Sequence, residues 1–365
     1  SVAGQSRGIF AVNRGSGTLS VTSTGTVTGT TSDGIFTRAH TLTDATVTVS
    51  NSSVTGATNG IDTYHVVAGT NAINVSGTVI GGTGDGIRTR TAVGGSSLVT
   101  LNSGANISAA SGTAISNNAG NSTVSVNGGA IVTGAISLGD GADNLIFDGG
   151  SFATVTTLDG GSDTDTLTFR NVSGAVTGNS VTSWENVAVA SGADISISGT
   201  LNTGTLTVSN GGTLGGSGTI NGDLTVNDGT LGPGNSPGRL SIVGNLDLGI
   251  TSTTLIELGG TIAGTQYDQI DVADDPATSP TVEGIATLTT GATFDIDFFG
   301  PFLASLGDSF DVLVADDIIG DINSLIFDFS GATLSDGLKW ETSIIASGNR
   351  EALRLTVSES ELTTQ

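Results

Sequence analysis

The segments GIFTRAH at residues 34–40 and GIDTYHV at residues 60–66 decide the fold, because they are two copies of one pattern. A glycine–isoleucine pair opens each copy, and it recurs every 26 residues at Gly8-Ile9, Gly34-Ile35, Gly60-Ile61 and Gly86-Ile87. Repeats of this length are typical of solenoids, in which each unit buries its apolar face against its neighbours. The segments therefore predict a stack of similar coils.

Each repeat contains three short stretches in which apolar and polar residues alternate. After the glycine–isoleucine pair come the alternating apolar pairs Leu19/Val21, Val47/Val49, Ile73/Val75 and Val99/Leu101. One further apolar residue follows in each repeat, at Val27, Val54, Val79 and Ile107. A period of two indicates β-strands, and each strand can pair with its counterpart one repeat away. We therefore predict an all-β chain folded as a right-handed parallel β-helix, with Ile, Val and Leu inside and Thr and Ser outside.

The pattern changes along the chain, which predicts a division into domains. Downstream repeats shorten, since the matching segments that begin at Asp143 and Asp165 are 22 residues apart. Beyond residue 251 the alternation becomes less regular and phenylalanine becomes frequent. We predict a β-helix over residues 1–250, a C-terminal β cap subdomain over 251–357 and a frayed tail over 358–365.

The composition argues against several classes of function. The 365 residues include 10 Lys and Arg against 34 Asp and Glu, a net charge of −24, so we expect no nucleic-acid partner. The chain has no cysteine, so no disulfide framework supports its core. No apolar run approaches the ~18 residues that a membrane helix needs. The absence of methionine predicts a processed or recombinant piece of a longer protein.

Four segments in the second half resemble one known family. They are SWENVAV at 183–189, LGPGNSPGRLSI at 231–242, IELGGTIAGTQYDQIDV at 256–272 and GDSFDVLVA at 307–315. Together they resemble the C-terminal part of bacterial autotransporter passengers. The resemblance implies a β-helical passenger at the surface of a Gram-negative bacterium or released from it, with a folding-promoting region at its C-terminal end. It also implies a membrane β-barrel translocator as a partner, which we expect outside this chain.

Two strings imitate the motifs of serine hydrolases. GPGNSPG around Ser236 contains G-x-S-x-G, and GDSF around Ser309 imitates the GDSL string of some lipases. A nucleophile elbow needs a helix after the serine, whereas a strand pattern follows both Ser236 and Ser309. The two histidines, His40 and His65, lie far upstream in the sequence. We expect both serines in turns and the chain not to be an enzyme.

Aspartate-rich repeats raise the possibility of calcium. LGDGADNLIF at 138–147 and LDGGSDTDTLTF at 158–169 partly resemble calcium-binding nonapeptide repeats, and they place Asp143 and Asp165 in adjacent coils. Further carboxylates nearby are Asp140, Asp159 and Asp163. Calcium favours such oxygen clusters, but the nine-residue period is missing. We therefore favour Asp-Gly turns, keep calcium as a weak accessory, and expect no other cofactor.

Alternation after each buried isoleucine predicts which side chains point outward. It aligns Arg38, Tyr64 and Arg90 in one file, one coil apart, and it places Arg88 beside Asp62 as an exposed ladder pair. Stacked arginine and tyrosine suit a carboxylated sugar or an acidic protein surface. The alternative is a solvated face in which such ion pairs contribute under ~1 kcal/mol.

The basic file is the candidate ligand-binding surface, and a histidine is expected beside it. We place His40 and His65 in the turns after their strands, where His65 would strengthen the binding of acidic ligands below about pH 6.5. Half of the ten basic residues precede residue 91: Arg7, Arg14, Arg38, Arg88 and Arg90. That distribution is uneven for so acidic a chain.

These observations favour an adhesin or a self-association module. The partners would be glycans or proteins of host or bacterial surfaces, or further copies of the chain. One alternative is a passive β-helical stalk that presents an effector lying upstream. A polysaccharide lyase is a third alternative, because parallel β-helices also occur in lyases, but there the calcium-binding carboxylates lie beside a basic catalytic residue. Here several repeats separate the basic file from the aspartate-rich segments.

Overall fold

The computed structural model describes residues 1–42, 44–234, 236–274 and 284–360. The chain divides into two compact units. Unit 1 comprises Ser1–Val172 and Ser180–Asn186, and unit 2 comprises Ser173–Asn179 and Val187–Gln365.

Nearly all regular structure in the described residues is β-strand. Up to residue 170 the strands are β1 (Val2–Gly4), β2 (Ile9–Asn13), β3 (Leu19–Ser23), β4 (Val27–Gly29), β5 (Ile35–Ala39), β6 (Ala45–Val49), β7 (Ser53–Gly56), β8 (Ile61–His65), β9 (Thr70–Val75), β10 (Thr78–Gly81), β11 (Ile87–Arg90), β12 (Ser96–Leu101), β13 (Asn106–Ala109), β14 (Ile115–Asn117), β15 (Asn121–Asn127), β16 (Ile131–Ser137), β17 (Asn144–Asp148), β18 (Val155–Asp159) and β19 (Thr166–Arg170).

The strands after residue 170 are β20 (Ser173–Thr177), β21 (Val181–Thr182), β22 (Asn186–Ala190), β23 (Asp194–Ser198), β24 (Thr200–Ser209), β25 (Thr213–Gly216), β26 (Thr219–Asn227), β27 (Thr230–Pro233), β28 (Arg239–Val243), β29 (Leu246–Leu248), β30 (Thr253–Leu258), β31 (Gln269–Ala273), β32 (Ile285–Leu288), β33 (Thr293–Phe298), β34 (Ser309–Ala315), β35 (Asp317–Ile319), β36 (Ile326–Gly331), β37 (Leu338–Ser347) and β38 (Arg350–Glu359). Short 3-10 helices cover Gly178–Ser180 and Ile322–Ser324.

In unit 1 the strands pair in parallel on three faces, one strand of each coil per face. The first face carries β1, β4, β7, β10, β13 and β16 in that order. The second carries β2, β5, β8, β11 and β14, and the third carries β3, β6, β9, β12, β15, β17 and β19. Ile9 pairs in register with Ile35, and Ile35 with Ile61. The predicted all-β parallel β-helix is confirmed.

Glycine precedes each of these isoleucines because two coils approach closely there. A Cβ on Gly34 would lie 2.7 Å from the carbonyl oxygen of Gly60 and 2.7 Å from Cγ1 of Val54. A second glycine ends each early strand of the first face, where a Cβ on Gly56 would lie 1.8 Å from the oxygen of Asn59. The backbone geometry of the coil therefore fixes both glycine positions.

Polar side chains in the turn before each isoleucine connect successive coils. Asp33 accepts hydrogen bonds from Thr58 Oγ1 at 2.7 Å and from Asn59 Nδ2 at 2.9 Å. Asn59 Oδ1 in turn accepts from the backbone N–H of Asp85 at 2.8 Å. These bonds repeat at the coil spacing, so the turns support the same register as the strands.

Unit 2 continues parallel pairing on two faces. One sheet runs β20, β23, β25, β27, β30, β33 and β36. On the other face, β24 pairs with β26, β26 with β28, β28 with β31 and β31 with β34. β29 pairs with β26 and β32, and β32 pairs with β35.

The C-terminal end of unit 2 changes to antiparallel pairing. β38 pairs antiparallel with both β34 and β37. Arg354 on β38 donates two hydrogen bonds to Asp311 on β34, at 2.6 and 2.8 Å. Arg350, at the start of β38, forms ion pairs with Asp271 at 2.7 Å and with Asp316 at 2.8 Å. Arginine–carboxylate pairs therefore attach the last strand to the parallel strands.

Aromatic residues fill the core beneath this antiparallel region. Phe310 is fully buried, and its ring centroid lies 5.3 Å from that of Tyr267 and 5.9 Å from that of Trp340. Phe329 stacks on Trp340 with the ring centroids 5.2 Å apart. The concentration of phenylalanine in the sequence thus corresponds to a packed aromatic cluster.

The predicted boundary at residue 250 lies within continuous parallel pairing. β27 pairs with β30 across it, and β30 pairs in parallel with β33. Between the named strands, antiparallel pairing first involves β34, at Ser309–Ala315, although isolated antiparallel bridges occur earlier, as between Leu258 and Tyr267. Of the predicted tail at 358–365, Ser358 and Glu359 belong to β38, and residues 361–365 lie outside the described residues.

Candidate functional site

Strand register brings the predicted basic file together on the second face of unit 1. Arg38 on β5 pairs with Tyr64 on β8, and Tyr64 pairs with Arg90 on β11. All three side chains are half-buried. We call these three residues the arginine–tyrosine strip.

The tyrosine ring lies between two guanidinium groups. Cζ of Arg38 is 5.3 Å from the ring centroid of Tyr64, and Cζ of Arg90 is 4.7 Å from it. Both distances are within the range of cation–π attraction, which contributes ~0.5–1 kcal/mol at exposed sites. The ring therefore orients the two arginines.

Arg90 is held by a carboxylate. Its Nε lies 3.0 Å from Oδ1 of Asp62, and its Nη2 lies 2.6 Å from Oδ2. Asp62 is 4% exposed, and burial raises its pKa while the hydrogen bonds from Arg90 offset part of the rise. The predicted pairing of Asp62 with Arg88 is wrong: the two are register neighbours, but the carboxylate binds Arg90, two residues further along β11.

Two of the candidate cations have no carboxylate partner among the described residues. Within the described residues, Arg38 and Arg88 form no ion pair, whereas Arg7 is paired with Asp33 at 3.0 Å. Nε of Arg38 is buried and has no hydrogen-bond partner. A buried donor of this kind normally has a partner, so its unused N–H favours an acceptor that approaches from outside.

The prediction that His65 lies in a turn beside the strip is wrong. It is the last residue of β8, pairs in register with Ala39, and is fully buried. Burial lowers the pKa of His65, which opposes the positive form. His65 therefore belongs to the interior of the coil and cannot contact a ligand on the strip.

The two calcium candidates, Asp143 and Asp165, are buried and lie directly before the third-face strands β17 and β19. Oδ1 of Asp143 accepts a hydrogen bond from the backbone N–H of Ser122 in the preceding coil. Oδ1 of Asp165 accepts from the N–H of Asp143 at 2.8 Å, and Oε2 of Glu185 accepts from the N–H of Asp165 at 2.8 Å. Each carboxyl group thus caps the coil before it, and we call this arrangement the carboxyl ladder.

The surroundings of the carboxyl ladder do not stabilise the charged form of its carboxyl groups. Asp143 and Asp165 are 1% and 0% exposed, and Oδ2 of each has no hydrogen-bond partner. Burial raises the pKa of Asp143 to about 8 and that of Asp165 to about 6, and the neighbouring carboxylates add to both shifts. In the described ranges no group of three or more Asp, Glu or His side chains is arranged to hold a metal ion.

Ser236 lies in a turn that leads into a strand, as predicted. The strand β28 begins at Arg239, so a strand and not a helix comes directly after the turn. Asn235, in the same turn, lies outside the described residues. Ser309 is the first residue of the strand β34, so it lies at the end of the predicted turn and not within it.

The pocket beside Ser236 is lined by carboxylates. It has a volume of about 170 Å³, and its acidic residues are Glu257, Asp268 and Asp297. Asp268 accepts hydrogen bonds from the backbone N–H of Gly238 at 2.6 Å and of Glu257 at 3.0 Å, and burial raises its pKa to about 7. Asp268 therefore serves to hold the turn in place.

Two further observations concern the setting of the arginine–tyrosine strip. Over the described ranges, no helix has the length and apolar character needed to cross a membrane. Comparison of the chain with protein-family models and with curated proteins found no match to either.

Proposed function

We propose that this chain is an extracellular binding module, an adhesin or self-association module whose contact surface is the arginine–tyrosine strip with Arg88. One observation carries the proposal: Arg38 is stacked on Tyr64, within reach of solvent, and has no carboxylate partner in the described part of a chain with a net charge of −24. Carboxylates are abundant in this protein, so an unpaired, oriented guanidinium is unusual.

The chemistry of the strip favours an acidic partner. A guanidinium group binds a carboxylate or sulfate through two parallel hydrogen bonds, and stacking on Tyr64 reduces the conformational freedom that Arg38 loses on binding. The remaining surface is strongly acidic and repels the same partner. Binding would therefore be confined to the strip and weakened by salt.

The proposed setting is the passenger of an autotransporter. A parallel β-helix followed by an antiparallel C-terminal region supports that setting, and the exporting β-barrel would be the partner on the bacterial side. A passive stalk is the second candidate. It is favoured by the regular register of β1–β16, which depends on inward residues and turns and not on the outward side chains.

The test is adhesion of beads coated with the protein to acidic glycans, to host cells and to one another. The variant Arg38→Gln with Arg88→Gln removes two cations that form no ion pair among the described residues, and Arg90 is left intact because its removal would leave Asp62 buried and unpaired. Arg239→Gln with Lys339→Gln is the matched control, since it removes two exposed charges elsewhere. Loss of adhesion in the first variant alone supports the proposal, and undiminished adhesion in both variants contradicts it.

A further inference from the structure

A second group of cations lies next to the strip, at the ends of β2 and β5. Asn13 pairs in register with Ala39, and the backbone N–H of His40 donates to the oxygen of Asn13 at 3.0 Å. Arg14 and His40 are therefore the next neighbours along the two strands. Ala39 is fully buried, so alternation directs both Arg38 and His40 outward.

This group has hydrogen-bonding nitrogens without partners in the described part of the chain. Among those residues, Nε of Arg38 and Nε2 of His40 are both buried and meet no hydrogen-bond partner, while Arg14 is exposed. Nitrogens that are buried in a protein are usually satisfied, either by the protein or by a bound group. Two such atoms on adjacent residues of one face indicate a place where an acceptor is missing.

The charges around His40 are all positive. Burial lowers the pKa of His40, and the charges of Arg38 and Arg14 lower it further. On the adjoining strand, Tyr64 faces the same side, His65 points into the core, and Asp62 is bound by Arg90. Asp44 acts on His65, and no carboxylate acts on His40 among the described residues.

We propose that Arg14, Arg38 and His40 form an oxyanion-binding site for the carboxylate of an acidic saccharide. The site deepens the proposed function, on which it rests, by locating the first contact and naming the ligand class. Arg38 would grip the carboxylate from the strip side, Arg14 would cover it from the solvent side, and His40 would donate through Nε2. Tyr64 keeps Arg38 in place by stacking.

The site makes binding depend on pH. Protonated His40 adds a third positive charge beside the carboxylate, so proton binding and ligand binding strengthen one another. The sign follows from the charges: the two arginines lower the pKa of His40, and a bound carboxylate neutralises them and raises it again. Affinity for an acidic saccharide is therefore higher below the pKa of His40 than above it.

NMR titration of the two histidines tests the site directly, because the chain contains only His40 and His65. Glucuronate is the probe and glucose is its uncharged control. We expect saturating glucuronate to raise the pKa of His40 by at least about 0.5, as a nearby charge does, and to leave the buried His65 unchanged. In Arg38→Gln the rise should fall to less than half, while the His65 signal reports that the coil is still folded.

Two results would overturn the proposed site. One is a His40 titration that is the same in glucuronate and in glucose. The other is an equal rise in wild type and in Arg38→Gln, which would show that the effect does not arise at this cluster. If bead adhesion nevertheless depends on Arg38 and Arg88, the proposed function stands and only the oxyanion site is rejected.

Discussion

Units 1 and 2 solve the same problem, the stacking of parallel coils, with different residues. In the first coils of unit 1, glycine lies where two backbones meet and aliphatic residues such as Ile35 and Val47 fill the inside. In unit 2 the last coils are held by side chains, through an aromatic cluster around Phe310 and through Arg354 bound to Asp311.

The difference shows where each unit can tolerate change. A repeat that relies on backbone contact permits almost any outward side chain, so unit 1 can carry a binding surface without loss of stability. A unit that relies on interlocked aromatic and charged groups has few free positions, and its cations are consumed by ion pairs. The unpaired cations Arg38 and Arg88 both lie in unit 1.

The aromatic cluster of unit 2 gives the largest expected effect. Phe310→Ala removes a fully buried ring that packs against Tyr267, Phe302 and Trp340, and we expect it to lower the free energy of unfolding of unit 2 by ~3–5 kcal/mol. Urea denaturation can be followed by Trp340 fluorescence in a Trp184→Phe background. A loss below about 1 kcal/mol would break the comparison, because unit 2 would not depend on its aromatic core.

The glycine positions test the backbone side of the comparison. Gly34→Ala places a methyl group 2.7 Å from the oxygen of Gly60, and we expect a loss of ~1–3 kcal/mol in unit 1 through overpacking. Trp184, which is 1% exposed in unit 1, reports the unfolding. Gly17→Ala is the matched control, since a Cβ there would meet nothing within 4 Å. Equal stability of the two variants would contradict the argument.

Carboxylates sharpen the contrast, because unit 2 pairs Asp311 with arginine whereas unit 1 stacks Asp143 on Asp165. The pKa of Asp143 rises from its ordinary 3.8 to about 8 on folding, so the folded state holds a proton that the unfolded chain releases. The stabilisation is therefore complete below about pH 4 and is lost as the pH rises towards 8. We expect unit 1 to unfold with ~1–2 kcal/mol more free energy at pH 6 than at pH 8.

Asp143→Asn tests the origin of that pH dependence. The amide keeps an oxygen that accepts the hydrogen bond from Ser122 but cannot ionise. The variant should unfold with nearly the same free energy at both pH values, measured by Trp184 fluorescence. A pH dependence equal to that of wild type would show that the carboxyl ladder is not its source.

The sequence predicted the coil and the strip because both depend only on period and alternation. The 26-residue spacing fixed the register, and the register alone aligns Arg38, Tyr64 and Arg90. Alternation counted from Ile61 also places His65 inside the coil, so its burial could have been predicted from the sequence. The assignment of His65 to a turn did not follow that alternation.

Three other features could not be predicted from the repeat spacing and the apolar–polar alternation. Asp62 binds Arg90 and not its register neighbour Arg88, and this choice depends on side-chain conformation, which alternation does not describe. The antiparallel pairing of β37 and β38 has the same period of two as parallel pairing, so the sequence did not distinguish them. The predicted Asp-Gly turns do precede β17 and β19. The sequence did not show that Asp143 and Asp165 point inward, because that direction depends on where each turn ends.

The smallest and most informative effect is on ligand affinity. It compares the unpaired Arg38 and Arg88 of unit 1 with ion-paired cations of unit 2. The measurement is the Kd for a uronate-containing polysaccharide at low and high salt. We expect Arg38→Gln with Arg88→Gln to weaken binding at low salt by about fivefold, or about 1 kcal/mol, and to reduce its salt dependence. Arg239→Gln with Lys339→Gln should bind as wild type does. Equal affinity and equal salt dependence in the two variants would contradict the claim that unit 1 binds its partner through the arginine–tyrosine strip.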